Sequence, residues 1–410
     1  MPRSLSVGII GGGIGGLALA AALRRRGIAT RVFERARQFG EVGAGIQMTP
    51  NAVKVMVGLG FYDQLRAVSF TPQALVGRNW RSGREMWRTP LAGDCERIYG
   101  APFLHIHRAD LHAILAADLP EGSATLGVSC LGIEQGPGSA VATFSDGSRF
   151  EADAIIGADG IHSAVRRALF GDQPPRFTGN MCWRATIPFE RPPLDYVTPD
   201  SSFWLGPRGH VVTYYVQGGR AVNIVAVAET SAWVEESWTV PSTREELLAG
   251  FQGWHRNITR LFGEAGKVFK WGLFDRDPMA QWSVDRVTLL GDAAHPMLPF
   301  LSQGAAMAIE DGYVLAAALA AQPEDVPAAL RRYEGQRRPR TTRVQLESRE
   351  RGRTYHLASP FALFRRDMGY RVRSLINPHK SGIKANWVYE YDALGAVTAP
   401  LSPVPLSSAA

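Results

Sequence analysis

The first thirty-four residues restrict this chain more than any other stretch. A short apolar run, Leu5 to Ile10, breaks into Gly11-Gly12-Gly13-Ile14-Gly15-Gly16 and passes at once into Leu17-Ala18-Leu19-Ala20-Ala21-Ala22-Leu23. Ala and Leu are strong helix formers, and Gly27, just past Arg24-Arg25-Arg26, supplies a helix stop. Ala29 to Phe33 then reads as a second buried strand ending on Glu34. The spacing predicts strand, glycine turn, helix and strand, a βαβ unit with parallel strands. Gly11, Gly13 and Gly16 stand at G-x-G-x-x-G spacing. The first permits the tight turn, the second lets a pyrophosphate approach the backbone, and the third lets helix and strand pack closely. The helix N-terminus offers such an anion unpaired N–H groups and the positive end of its dipole. Glu34 falls about 20 residues on, where an acid accepts hydrogen bonds from ribose hydroxyls. Glycines alone merely permit turns, and a lone acid at a strand end is normally just solvated. Strand, turn, helix, strand and acid in one register point to a dinucleotide, without separating a nicotinamide from a flavin.

The remaining chain is long enough for two or three domains, with 410 residues of which 45% are hydrophobic. Ala74 to Arg88 alternates as a hairpin turning near Ser82-Gly83, and Asp110 reads as a contributor to the N-cap of a helix from Leu111 to Leu119. Strands are expected at Thr125 to Ile133, Ala140 to Phe144 and Arg149 to Ile156, the last entering a second glycine turn, Gly157-Ala158-Asp159-Gly160. From about Pro175 to Trp271 the chain turns aromatic and β-branched, as in a sheet-rich domain. Arg286 to Leu290 returns to a buried strand ending in Gly291-Asp292-Ala293-Ala294-His295-Pro296. Helical patterns follow from Gln303 to Ala321 and from Ala328 to about Tyr355, and a Pro/Ser-rich tail begins after Thr398.

Cys95, Cys130 and Cys182 are odd in number and widely separated, so they support neither disulfides nor a metal site, and a reducing cytoplasm is expected. No run approaches the ~18 apolar residues needed to cross a bilayer, and no membrane partner is expected. The formal charge of +7 raises the question of nucleic acid. However, the arginines between Arg331 and Arg373 alternate with Glu334, Glu347 and Glu350, and Glu347–Arg351 has the i,i+4 spacing of a solvated helix face. Aromatic residues suited to base stacking are nearly absent there, which argues against nucleic acid.

With Gly157-Ala158-Asp159-Gly160, Ser163 and Arg166, and then Gly291 to Pro296, the chain resembles the single-component FAD-dependent aromatic monooxygenases over nearly its whole length. The resemblance implies an α/β fold with a Rossmann-type FAD-binding domain interleaved with a sheet-rich substrate domain, plus C-terminal helices. FAD-binding segments would cover 1–72, 101–174 and 276–355, substrate segments 73–100 and 175–275, and a helical region and tail 356–410. Gly11, Gly13, Gly16 and Glu34 would hold the ADP half of FAD, with Arg35 and Arg108 alongside. Gln47, Leu131, Asp159, Asp292, Pro296, Gly304 and Ala305 would complete the cofactor site. Asp292 would meet the ribityl or pyrophosphate region, and Gly304-Ala305 the isoalloxazine. For Asp292 a plain helix N-cap, and for Asp159 ordinary turn chemistry, stay open as alternatives. FAD would be reduced by NADH or NADPH, which bind transiently, since no second complete glycine fingerprint is present. With O2 it would form a flavin hydroperoxide that transfers OH to the ring.

Gly43-Ala44-Gly45-Ile46-Gln47, Pro50-Asn51 and the run Trp387 to Asp392 are similar to the 6-hydroxynicotinate 3-monooxygenase and 3-hydroxybenzoate 6-hydroxylase branch. That likeness implies hydroxylation, with or without decarboxylation, of a hydroxylated aromatic or pyridine carboxylate. His210 and Tyr214 lie four apart on a strand and share a face. By resemblance they would be the catalytic pair, His210 taking the phenolic proton and Tyr214 ordering the phenolate, although a lone strand histidine as a surface or satisfied residue stays open as the alternative. Tyr215, on the other face, reads as core. The hydroxynicotinate branch has histidines where this chain has Gln47 and Phe300, which leaves a more apolar pocket and keeps open an epoxidase or other monooxygenase of a larger polycyclic substrate. A flavin-based sensor is the non-enzymatic alternative. His295 reads as structural or cofactor-facing, and Arg184 either as a carboxylate partner or as an ordinary ion-paired residue. A monomer or homodimer is expected, with no metal.

Overall fold

Val7, Ile9 and Ile10 are buried in the core on a strand, Ser6–Ile10, whose two edges are both hydrogen-bonded. It pairs in parallel with Ala29–Glu34 on one side and Ala154–Gly157 on the other. The computed structural model describes residues 5–40, 44–189, 195–231, 240–376 and 386–396. Gly43 and the tail after Thr398 lie outside them.

The six-stranded sheet runs Ser283–Val284, Val287–Leu289, Ala154–Gly157, Ser6–Ile10, Ala29–Glu34, Ala124–Leu126. It therefore joins strands from the start, middle and late chain. Only the outermost pair, Ser283–Val284 with Val287–Leu289, is antiparallel. The fingerprint helix Ile14–Arg24 lies against the helix Gly304–Ala321. Gly312 makes this approach possible, since a Cβ there would stand 2.8 Å from the Leu19 nitrogen.

The second large sheet has eight strands. Their order is Val240–Ser242, Val268–Asp275, Arg176–Pro188, Ala221–Glu229, Gly209–Val216, Ser201–Gly206, Ala74–Asn79, Glu85–Pro90. One face packs Val211, Tyr215 and Ile224 against the helices Arg244–Gly250 and Arg256–Gly263. The other face packs Val212, Tyr214 and Trp271 against Leu298 and Phe300. A separate ribbon of Gly45–Met48 with Leu104–His107 packs on the eight-stranded sheet, the Gly45 nitrogen donating to Asn223 Oδ1 at 2.7 Å. Gly45 has to be glycine, because a Cβ there would sit 2.5 Å from the Tyr214 ring and 2.7 Å from the Asn223 side chain.

Five local expectations require correction. The strand expected over Thr125 to Ile133 divides into Ala124–Leu126 and Cys130–Gln135, because Gly127 at φ +76° turns the chain between two sheets. Arg149 to Ile156 divides likewise at Asp153, whose carboxylate accepts from the Ser6 nitrogen at 2.9 Å and hydroxyl at 3.0 Å. The helix placed after Asp110 begins at Arg108 with His107 as its N-cap, so Asp110 belongs to the first turn. Gly304–Ala321 is, by length and composition, apolar enough to cross a membrane. It is instead 72% buried within the fold and carries Glu310 and Asp311 at its middle. Finally, the helix Val326–Tyr355 does not turn all its arginines to water, for Arg337 and Arg340 are buried.

Candidate active site

The three fingerprint glycines meet three different surroundings. Gly11 has φ +110°, and a Cβ there would fall 2.3 Å from the Ala158 carbonyl oxygen. At Gly16 it would fall 2.0 Å from the Gly11 carbonyl oxygen, whereas at Gly13 it would meet nothing within 4 Å. The turn is thus closed on two sides and open on the third, at the start of a helix with no side-chain cap. This is the shape an approaching pyrophosphate needs. Glu34 accepts from the Gly12 nitrogen at 2.7 Å and from the Ala36 nitrogen at 2.8 Å, one bond to each oxygen. Each oxygen keeps lone-pair capacity for a ribose hydroxyl. His112, its pKa lowered by burial, bonds the Gly12 carbonyl at 2.8 Å through Nε2 and steadies the same turn. Arg35 is exposed beside Glu34, and Leu131 is 68% exposed on its edge strand.

Asp292 follows Val287–Leu289 at the carboxyl end of the six-stranded sheet, on a short 3-10 turn, Gly291–Ala293. Its side chain is accessible but recessed. The surrounding protein desolvates it and raises its pKa, against the opposing pull of His295 and Arg108. Burial lowers Arg108 to about 10, with Asp292 opposing and Arg184 adding to the shift. Arg184 stacks 4.4 Å over Trp271. Asp159 accepts from the Ser163 hydroxyl at 2.5 Å, the Ala164 nitrogen at 2.7 Å and the Val165 nitrogen at 3.3 Å. It therefore fastens the second glycine turn to the start of the helix Ala164–Phe170. Gly304 and Ala305 open the first turn of Gly304–Ala321, again without a side-chain cap, and Gly304 also borders open space. An open glycine turn, a recessed acid with an arginine beside it, and a second uncapped helix start fit the parts of FAD in sequence.

Beneath this recess lies a buried ion network. Arg340 grips Glu310 with Nε at 2.8 Å and Nη2 at 2.9 Å. Arg337 reaches Glu310 at 2.6 Å and Asp311 at 2.7 Å. Asp311 also accepts from the Gly291 nitrogen at 3.2 Å and meets His295 Nε2 at 2.5 Å. Burial alone would raise both carboxyls, but Arg340 and Arg337 outweigh it at Glu310, and His295 and Arg337 do so at Asp311, so both pKa values are lowered. Asn51 donates to Glu310 at 2.7 Å and to Gln303 at 3.1 Å, which ties the network to the N-cap of Gly304–Ala321. Pro296 accepts from Gln345 Nε2 at 3.0 Å, fixing the segment that leaves the Asp292 turn.

A narrow pocket adjoins that N-cap. Trp87, Phe203, Phe300, Tyr355 and Tyr389 wall it, and Gln47, Ser302, Gln303 and Arg351 provide its polar groups. Gln47 donates from Nε2 to Ser201 at 2.9 Å. His210 and Tyr214 share the face of the eight-stranded sheet nearest the pocket but stand one layer behind its lining. The His210 ring centroid is 5.3 Å from Phe300 and 5.2 Å from Tyr355. Its Nδ1 lies 2.8 Å from Nε2 of His356. Burial first, and His356 second, push the His210 pKa well down, and burial lowers His356 to about 4. Tyr214, its pKa raised by burial, packs 4.4 Å from His105. The sequence pairing Glu347–Arg351 does not form: Glu347 bonds Arg343 at 2.8 Å and the Trp387 ring nitrogen at 3.3 Å. Arg351, Tyr355, Trp87 and Tyr389 escaped sequence reasoning. For Arg351 and Tyr355 the available signal was that they follow the phase of the buried positions Val344, Ser348 and Gly352, and Tyr389 lay within the run Trp387 to Asp392 that carried the branch likeness without a role of its own.

The FAD binding domain family matches residues 4–348. A 3-amino-4-hydroxybenzoate 2-monooxygenase from Streptomyces platensis is 44% identical over 351 residues, covering 86% of this chain and 88% of the relative. A 6-hydroxynicotinate 3-monooxygenase from Bordetella bronchiseptica is 38% identical, covering 84% and 90%. The solved structure of HpxO from Klebsiella pneumoniae, complexed with FAD and uric acid, superposes with a TM-score of 0.80 at 26% identity, covering 96% of this chain and 95% of that one.

Proposed function

The chain belongs to the FAD binding domain family and is an aromatic hydroxylase, and on that premise we propose that it hydroxylates a small benzoate of the 3-amino-4-hydroxybenzoate type at the expense of NADH or NADPH and O2. The observation that carries the substrate side is the position of Gln303. This residue is at once part of the pocket lining and the N-cap of the helix whose first turn borders the cofactor recess. A ring held between Phe300 and Gln303 therefore sits beside the proposed seat of the isoalloxazine.

FAD, when bound, supplies the electrons and the activated oxygen. The chain's own residues hold the ring and keep water out. Phe203, Phe300 and Trp87 present apolar surfaces to an aromatic face. Gln47, its amide nitrogen engaged by Ser201, keeps its carbonyl oxygen for an amino or hydroxyl donor on the ring. His210 and His356, both kept neutral near pH 7 by burial and sharing one N–H between Nδ1 and Nε2, stand behind the lining and brace it. In this reading His210 and Tyr214 are positioning residues, His210 fixing the Phe300 and Tyr355 rings from behind and Tyr214 packing on the same face of the sheet. Gly11, Gly13, Gly16, Glu34, Arg108 and Asp292 hold the cofactor, and Asp159 shapes the turn beside it.

Adding 3-amino-4-hydroxybenzoate to the FAD-loaded protein is expected to accelerate NAD(P)H oxidation and to yield a hydroxylated product. A product heavier by one oxygen marks plain hydroxylation, and one lighter by the mass of CO marks decarboxylative hydroxylation. No acceleration with any hydroxybenzoate or hydroxypyridine carboxylate would overturn the reading.

A further inference from the structure

Among the described residues, the pocket lining contains one cation, Arg351, and no carboxylate. Neighbouring arginines on the same helix are neutralised: Arg343 by Glu347 at 2.8 Å, Arg349 by Asp275 at 2.6 Å and Asp277 at 2.8 Å, Arg353 by Glu350 at 3.2 Å. Arg351 has no such carboxylate among the described residues. Glu347, one turn before it, is taken by Arg343 and Trp387. What surrounds the guanidinium is phenolic. Its Cζ lies 5.8 Å from the Tyr355 ring centroid, and the phenols of Tyr370 and Tyr389 are its other electrostatic neighbours. These cannot neutralise it near pH 7, because burial pushes Tyr355 up to about 12 and Tyr389 higher still. A largely desolvated guanidinium without an anion is unfavourable unless a ligand brings one.

Resting on the functional reading above, we propose that Arg351 binds the carboxylate of the aromatic substrate through its planar fork, and so selects ring acids over the corresponding phenols. Guanidinium and carboxylate match as two parallel N–H···O bonds, and the surrounding rings exclude water that would weaken them. Tyr355 holds the fork in place from one turn further along the helix. Anchoring the carboxylate fixes the rotation of the ring in the pocket, and hence which carbon is presented at the Gln303 end. Arg351 is in this sense a specificity residue.

The test measures dissociation constants by titrating the FAD-loaded protein with 3-amino-4-hydroxybenzoate, its carboxamide and 2-aminophenol, in wild type, Arg351→Lys and Arg351→Met. Wild type should lose about tenfold to a hundredfold in affinity when the carboxylate is replaced by the amide. In Arg351→Met that penalty should shrink to a few-fold, with Arg351→Lys intermediate because it keeps the charge and loses the fork. An equal penalty in wild type and Arg351→Met overturns the proposal while leaving the hydroxylase reading intact. Should Arg351→Met fail to fold, the comparison of acid with amide in wild type and Arg351→Lys decides, and equal affinity for acid and amide in wild type overturns the proposal. Failure of wild type to bind any of the three ring compounds sinks both readings together.

Discussion

Two glycines three positions apart show how different the demands on single residues are. Gly13 has an ordinary φ of −74° and open space where a Cβ would go, so the protein itself has no need of glycine there. Gly16 does, since a Cβ would lie 2.0 Å from a backbone oxygen that cannot rotate away. Gly13→Ala should leave the melting temperature of the apoprotein within a degree or so of wild type yet lower its FAD content on purification. Gly16→Ala should lower both, with a stability loss of about 1–3 kcal/mol or more. Calorimetry of the apoprotein and the ratio of flavin to protein absorbance separate these outcomes. The whole motif was legible in the sequence because its parts lie within thirty-four residues and each is local. The partner of His210 was not, because His356 lies on another element 146 residues away. The burial of that pair has a pH signature, to which the nearby Arg366 adds. His356 titrates at about 4 in the folded state against roughly 6.5 unfolded, so the folded protein binds the proton less readily. The stabilisation is complete above pH 6.5 and is lost as pH falls toward 4, by roughly 3 kcal/mol. The urea midpoint should fall across this window in wild type and fall less in His356→Asn, whereas parallel slopes would count against a buried neutral pair.

At the level of elements, the alternation and helical periods of the sequence located most strands and helices but not where one strand hands over to another sheet. Gly127 and Asp153 divide two expected strands, because a left-handed turn and a side-chain bond to Ser6 redirect the chain. Neither event leaves a trace in hydrophobic pattern. The same limit hid the contact between the long helix and the pocket wall. Gly352 lies where a Cβ would stand 2.5 Å from Cε2 and 2.7 Å from Cδ2 of Phe300. A Gly-to-Ala change inside a helix normally gains about 1 kcal/mol in propensity. Here it must displace an aromatic ring that lines the pocket and touches His210. Gly352→Ala is expected to keep its FAD and its fold while raising KM for the aromatic substrate several-fold. A variant with wild-type KM would show that Phe300 can move without narrowing the pocket.

Over the whole molecule the surplus of 45 Lys and Arg over 38 Asp and Glu says little about partners, because the sequence cannot reveal which arginines are inside. Arg337 and Arg340 are, and they join elements that no local pattern connects. Arg340 holds Glu310 of the apolar helix, donates to the Val388 carbonyl at 2.8 Å and lies 4.1 Å from the Tyr391 ring. Through Asp311 and Asn51 the same network reaches the Gly291 turn and Gln303, and so both the cofactor recess and the substrate pocket. Truncating one member leaves a buried carboxylate short of its partner, a loss of about 3–5 kcal/mol for pairs of this kind. Arg340→Met should therefore lower the urea midpoint with little change in its slope, and salt should neither reproduce the loss in wild type nor relieve it in the variant, since buried pairs are poorly screened. The lowered pKa values of Glu310 and Asp311 give the pH side of the same argument. Their contribution is present above the ordinary carboxyl range near pH 4 and disappears as pH falls through the lower folded values. Arg340→Met should accordingly show a shallower loss of stability below pH 4 than wild type. A variant that keeps the wild-type midpoint and acid slope would mean that Arg337 alone neutralises Glu310, and that the C-terminal segment is held by its aromatic contacts instead.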